Sequence, residues 1–119
     1  MRELTRAEMV IMRIVWDHKG MFLADIVAAF PEPRPAYTTI STVVRTLVSK
    51  GFLTYQQMSK VNLYSAAVAR EDYSQHAMER MQRDLFGGSH SAMLSFFAKT
   101  PAERRELLAM LSEESGKEE

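Results

Sequence analysis

The sequence predicts a mainly α fold with one small β-hairpin: three helices closed by the hairpin, then a helical tail. Two observations carry this. Apolar residues recur at helical spacing before and after the middle of the chain, and between Phe52 and Ser65 the period switches to alternate residues. Length sets the organisation. The 119 residues suffice for one ordinary domain plus an appendage, because a further unit would be too small to hold a core of its own.

The first helix opens at Leu4-Thr5-Arg6-Ala7-Glu8-Met9. Thr5 is placed to cap it, Glu8 to close a capping box, and Leu4 to staple onto Met9. Met9, Met12, Val15 and Trp16 give its apolar face, and Lys19-Gly20 predicts an end near His18. A shorter second helix places Leu23, Ile26, Val27 and Phe30 on one side. It stops at Pro31-Glu32-Pro33-Arg34-Pro35, where alternate prolines forbid helix.

A third helix is predicted from Tyr37 to Lys50 and is closed by Gly51. It buries Ile40, Val44, Leu47 and Val48 and turns Thr38, Thr39, Ser41, Thr42, Arg45 and Ser49 outward. Strand-like segments over 52–56 and 61–65 flank a loop at 57–60 that carries Lys60. Three helices and a hairpin in this order make a winged helix-turn-helix, whose third helix suits the DNA major groove.

Beyond Val68 the pattern is helical again. Glu71 and Asp72 favour a helix start, Tyr73, Ala77, Met81 and Leu85 share a face, and Gly87-Gly88 breaks it. A short helix over 91–98 follows, and Thr100-Pro101-Ala102-Glu103 opens another that carries Leu107, Leu108 and Leu111. Such short amphipathic helices cannot bury their apolar faces alone, so a second copy of the chain is the expected partner. The reading is therefore a winged-helix domain over 1–68, a helical dimerisation tail over 69–115 and a frayed end over 116–119. Tyr73, Met81, Leu85, Met93, Phe96, Phe97, Leu107, Leu108 and Leu111 are the expected dimerisation residues.

The formal net charge is zero, but its placement is uneven. No Asp or Glu falls between Glu32 and Glu71, whereas Arg34, Arg45, Lys50, Lys60 and Arg70 do. Phosphates approaching this stretch meet no carboxylate. Thr38, Thr39, Ser41, Thr42, Arg45, Lys50 and Lys60 are accordingly the expected contacts to double-stranded DNA, with hydroxyls near base edges and cations near phosphates.

Other chemistries find little support. The absence of cysteine removes disulfides, thiolate metal sites and cysteine nucleophiles. His18, His76 and His90 lack ligand spacing, and Gly87-Gly88 separates helices rather than cradling phosphate. Neither an enzyme nor a bound metal or cofactor is expected. With no apolar run long enough to span a bilayer and no secretion signal at Met1-Arg2-Glu3-Leu4-Thr5, the expectation is a cytoplasmic protein without membrane insertion. Two alternatives stand beside DNA binding by a proteolysed repressor. One is a winged helix that docks protein, and the other is a repressor gated by a small molecule held among Met93, Phe96 and Phe97.

The chain resembles the BlaI/MecI/CopY family of penicillinase-type transcriptional repressors from Leu4 to about Leu111. The similar pieces are Leu4-Thr5-Arg6-Ala7-Glu8 with Ile11-Met12 and Trp16, and Thr39-Ile40-Ser41-Thr42 with Leu47 and Lys50-Gly51-Phe52-Leu53. Tyr64 in the wing and Phe86-Gly87-Gly88 before Leu94-Ser95-Phe96 complete them. The resemblance implies a homodimer on a near-palindromic operator, with Thr39, Ser41 and Thr42 at recognition positions. It also implies release when a membrane-bound metalloprotease sensor triggers a cut in the tail, at a bond matching Ser95-Phe96. Three departures stand out: serine replaces the family's asparagine at Ser95, Arg45 lies one residue before the family's usual arginine position at Thr46, and the cysteine cluster of copper-responsive members is missing.

Overall fold

A computed structural model describes the backbone of residues 1–118 and the side chains of 1–113. The elements in order are α1 (Arg6–Trp16), β1 (Met21–Phe22), α2 (Leu23–Ala29), α3 (Tyr37–Ser49), β2 (Leu53–Met58), β3 (Val61–Ala66), α4 (Arg70–Phe86), α5 (His90–Phe97) and α6 (Pro101–Glu118). The chain forms two compact units, one comprising Met1–His76 and the other beginning at Ala77.

In the first unit, α1 starts as its sequence demands. Thr5 accepts from the Glu8 amide at 3.2 Å, while the Glu8 carboxylate accepts from the Thr5 amide at 2.8 Å, a complete capping box. The helix ends at Trp16 with Asp17 as its cap, earlier than His18. Gly20 consequently serves a different purpose from closing the helix. A Cβ there would lie 3.2 Å from the Leu63 side chain, so its lack of one permits close packing against the wing.

That packing belongs to an element the periodicity misses. Met21 and Phe22 pair antiparallel with Tyr64 and Leu63, giving a three-stranded sheet in the order β1-β3-β2. A two-residue strand is too short to display a period, and only the approach of β3 supplies its hydrogen bonds. The β2-β3 hairpin turns tightly at Ser59-Lys60, with Met58 opposite Val61 and Ser59 at φ 60°. Its strands are therefore longer than predicted and its loop shorter.

Ile11, Met12, Val15, Ile26, Ile40, Val44, Leu47 and Phe52 form the fully buried centre of this unit. Val48, predicted inward, remains half-buried. The unit also absorbs the start of α4, so the expected boundary at 68 falls short. Tyr73 is buried, lies 5.7 Å from Phe52 and 6.2 Å from Trp16 between ring centroids, and accepts the Leu4 amide at 3.0 Å through its hydroxyl. Trp16 donates its indole N–H to the Val68 carbonyl at 2.9 Å. Tyr73 is thus a core residue of the first unit and is unavailable to the dimer face expected of it.

In the second unit, Ser89 caps α5 through the Ala92 amide, and Thr100 caps α6 through the Glu103 amide. Gly87 and Gly88 both take positive φ, as the break between α4 and α5 requires. Helix α6 continues to Glu118, through most of the end expected to fray; Glu119 lies outside the described residues. Met93 is buried at 6% exposure, a core position rather than a surface one. Met81, Leu85, Phe96, Phe97, Leu108 and Leu111 are exposed, Leu85 reaching 70%. Leu107 is half-buried.

Candidate nucleic-acid interface

Helix α3 is held from behind and open in front. Ile40, Val44 and Leu47 anchor it in the core, leaving Thr38, Thr39, Thr42, Arg45, Thr46 and Ser49 exposed. Spacings of four, three and four residues put Thr38, Thr42, Arg45 and Ser49 along one stripe of the helix. Ser41 stands at its half-buried flank. Thr46 belongs to the exposed face but was absent from the predicted contacts. Its regular helical position beside Thr42 is the signal that would have included it.

The hydroxyls are partly committed. Thr42 donates its Oγ1 proton to the Thr38 carbonyl and Thr46 donates to that of Thr42, both at 3.0 Å. A hydroxyl carries only one donor, so Thr42 as folded offers outward an acceptor and a methyl group. Arg45 Nη2 lies 3.4 Å from Thr42 Oγ1, on the donating side of a long hydrogen bond.

The helix ends in a Schellman motif. The Gly51 amide donates to Val48, the Phe52 amide donates to Leu47, and Gly51 sits at φ 83°, a conformation suited to glycine. Lys50 is the C-cap, and here the structure corrects the predicted contacts. Its Nζ donates to Glu8 Oε1 at 2.8 Å, and its side chain is only 18% exposed. Burial pushes the Glu8 carboxyl upward, but the Lys50 hydrogen bond, the Thr5 amide and the ammonium charge outweigh this and hold it below its usual range. Lys50 is consumed inside the fold rather than held out to phosphate.

Other cations of the acid-free stretch are likewise paired by residues distant in sequence or just outside it. Arg34 meets Glu32 at 3.7 Å and donates to the Ala28 and Phe30 carbonyls; Arg70 meets Asp17 at 2.6 Å and lies over the Trp16 ring. Among the described residues, Arg45 on α3 and Lys60 at the wing tip have no carboxylate within ion-pair distance. Both are exposed. Gln56 and Gln57 are exposed near Lys60 on the same hairpin.

In the second unit, Ser95 and Phe96 occupy the last turn of α5. Phe96 is 57% exposed, with its ring centroid 5.7 Å from that of Phe86 and the Lys99 ammonium 4.5 Å from its own. Of the three residues expected around an effector, Met93 is buried while Phe96 and Phe97 are more than half exposed. An apolar groove of about 250 Å³ runs instead past Leu94, Ser95, Ala98, Leu107, Leu108 and Leu111. Among the described residues no group of acidic or histidine side chains is arranged to hold a metal, and no helix is long and apolar enough to cross a membrane.

A three-helix unit with a paired wing, presenting an acid-free hydroxylated third helix, has the architecture of a winged-helix DNA-binding domain. The chain belongs to the penicillinase repressor family, whose profile matches residues 4–113. It is similar to the penicillinase repressor of Staphylococcus aureus, with 24% identity over 98 residues that cover 82% of this chain and 78% of that one. In fold it is similar to the DNA-binding domain of the repressor BlaI, with TM-score 0.54 and 22% identity over 61% of this chain and 94% of the other. The multiple antibiotic-resistance repressor of Listeria monocytogenes also shares the fold, with TM-score 0.54, 17% identity and coverage of 95% and 73%.

Proposed function

We propose that this chain represses transcription as a homodimer that occupies a near-palindromic operator, with α3 of each copy in the major groove and the wing beside it. The observation that carries this reading is the α3 stripe of Thr38, Thr42, Arg45 and Ser49, exposed and free of carboxylates. Thr39 and Ser41 flank it. Arg45 and Lys60 supply the phosphate contacts, and Thr42 meets a base edge, its methyl group suited to a thymine methyl and its oxygen to an exocyclic amine.

Dimerisation proceeds through the second unit, using Met81, Leu85, Phe96, Phe97, Leu107, Leu108 and Leu111. Two recognition helices then sit roughly 34 Å apart, one turn of DNA. Relief comes from a membrane-bound metalloprotease sensor through a cut at Ser95-Phe96. Support for the cut is its position in the last turn of a short helix, just before the Ala98 cap. Mass spectrometry of the termini under inducing conditions checks it, and an intact bond counts against it.

Binding isotherms against salt test the interface. Arg45→Ala weakens binding to selected and random duplexes alike and lowers the salt slope by about one unit. Thr42→Ala costs about 1 kcal/mol and mainly relaxes sequence preference. An Arg45 variant with unchanged slope contradicts its role. A wild-type chain with no salt-dependent DNA retention leaves the winged helix as a protein-docking module.

A further inference from the structure

The Glu8–Lys50 pair joins the two ends of the chain segment that matter most to the placement of α3. Glu8 stands in the first turn of α1, is 3% exposed, and its Oε1 receives both the Thr5 amide and the Lys50 ammonium, each at 2.8 Å. Lys50 is the C-cap residue of α3, its own amide bonded to the Thr46 carbonyl at 2.9 Å. One carboxylate oxygen therefore closes the N-terminus of α1 and grips the C-terminus of α3. The contacts of Ile40, Val44 and Leu47 supply burial, which is non-directional. A hydrogen-bonded ion pair restricts distance and angle. Buried pairs add little net stability over apolar groups of similar volume, and their best-attested use is to select one register.

Resting on the reading of α3 as the recognition helix, we propose that Glu8 and Lys50 are positioning residues for DNA recognition: the pair sets the roll and depth of α3 against α1, and so the placement of Thr38, Thr42 and Arg45. Loss of the pair lets α3 shift about its own axis while its apolar face stays buried. Phosphate attraction survives such a shift because it tolerates small displacements. Base discrimination does not, because a hydrogen bond to a base edge fails within a fraction of an ångström to an ångström.

The experiment uses the full chain and the duplex that the wild-type chain enriches from a random-sequence pool. Lys50→Met alone strands a buried carboxylate and invites unfolding, so the main variant is Glu8→Gln with Lys50→Met. It keeps an acceptor for the Thr5 amide and removes both charges. At a temperature where both proteins are folded by circular dichroism, the ratio of affinities for the enriched and random duplexes falls about tenfold, as expected for losing about one base contact. The salt slope is unchanged, since Lys50 touches no phosphate. Lys50→Arg, which can still reach Glu8, restores the ratio to within about threefold of wild type. A purely structural role lowers both affinities together and leaves the ratio intact, which overturns the proposal. A fall of about one unit in the slope also overturns it, by placing Lys50 on the DNA. If the wild-type chain enriches no sequence, the recognition-helix reading fails, and the proposal fails with it.

Discussion

The two units of this chain solve the problem of burial in opposite ways. The first surrounds Ile11, Met12, Val15, Ile26, Ile40, Val44, Leu47 and Phe52 with helices and a sheet, so that each is under 2% exposed. The second buries Met93 and Ala98 but leaves Leu85, Phe96, Phe97, Leu108 and Leu111 more than half exposed. Both are rich in apolar residues, and both carry well-capped helices. The difference is closure. A sheet and three helices enclose a volume in the first unit, whereas the helices of the second leave apolar residues on more than one face uncovered. An exposed apolar surface of this kind marks an interaction site, which is why self-association is proposed for the second unit and DNA contact for the first.

The comparison breaks first at Tyr73. If the start of α4 belongs to the first unit, Tyr73→Ala removes a buried ring and the acceptor of the Leu4 amide. It lowers the stability of that unit by about 3 kcal/mol in urea titrations. A fragment ending at His76 then unfolds cooperatively, and one ending at Val68 does not. Equal behaviour of the two fragments would return the boundary to 68.

A smaller effect is expected in the second unit. Leu108→Asp places a charge in the proposed interface and weakens self-association by about 2 kcal/mol, roughly thirtyfold. Sedimentation equilibrium reads this as dissociation at micromolar concentration, while the urea midpoint of the first unit stays put. A simultaneous collapse of that midpoint would mean the units are not separable in this way.

The smallest effect concerns acid. Glu8 is held below its usual range in the folded chain, against about 4.3 when unfolded. Its contribution is therefore complete above that pH and is lost as pH falls through the lower, folded value. The double variant Glu8→Gln with Lys50→Met, which leaves neither charge stranded, should lose part of the decline in urea midpoint between about pH 5 and pH 2, with the slope of stability against pH as the measure. An identical acid limb in both proteins refutes the assignment.

The legibility of the site followed the range of the interactions. Thr38, Thr39, Thr42 and Arg45 were readable as an outward face because helix geometry repeats locally, and Lys60 at the wing tip because a hairpin signals its own turn. The fate of the other cations was not readable. Arg70 is claimed by Asp17 and Lys50 by Glu8, partners 53 and 42 residues away. An acid-free stretch of sequence is not the same as an acid-free surface.

What this sequence determined by itself is what depends on neighbours within a few residues: the capping box at Thr5 and Glu8, the amphipathic faces, the Gly51 and Gly87-Gly88 stops, and the hairpin. The family likeness was legible in the same local motifs. Only the tertiary structure decided that Met21 and Phe22 form a strand, that Tyr73 leaves the tail for the first core, and that Lys50 turns inward. Each of these depends on a partner brought close by folding. A strand needs another strand's hydrogen bonds, a ring needs a cavity, and a buried charge needs its opposite.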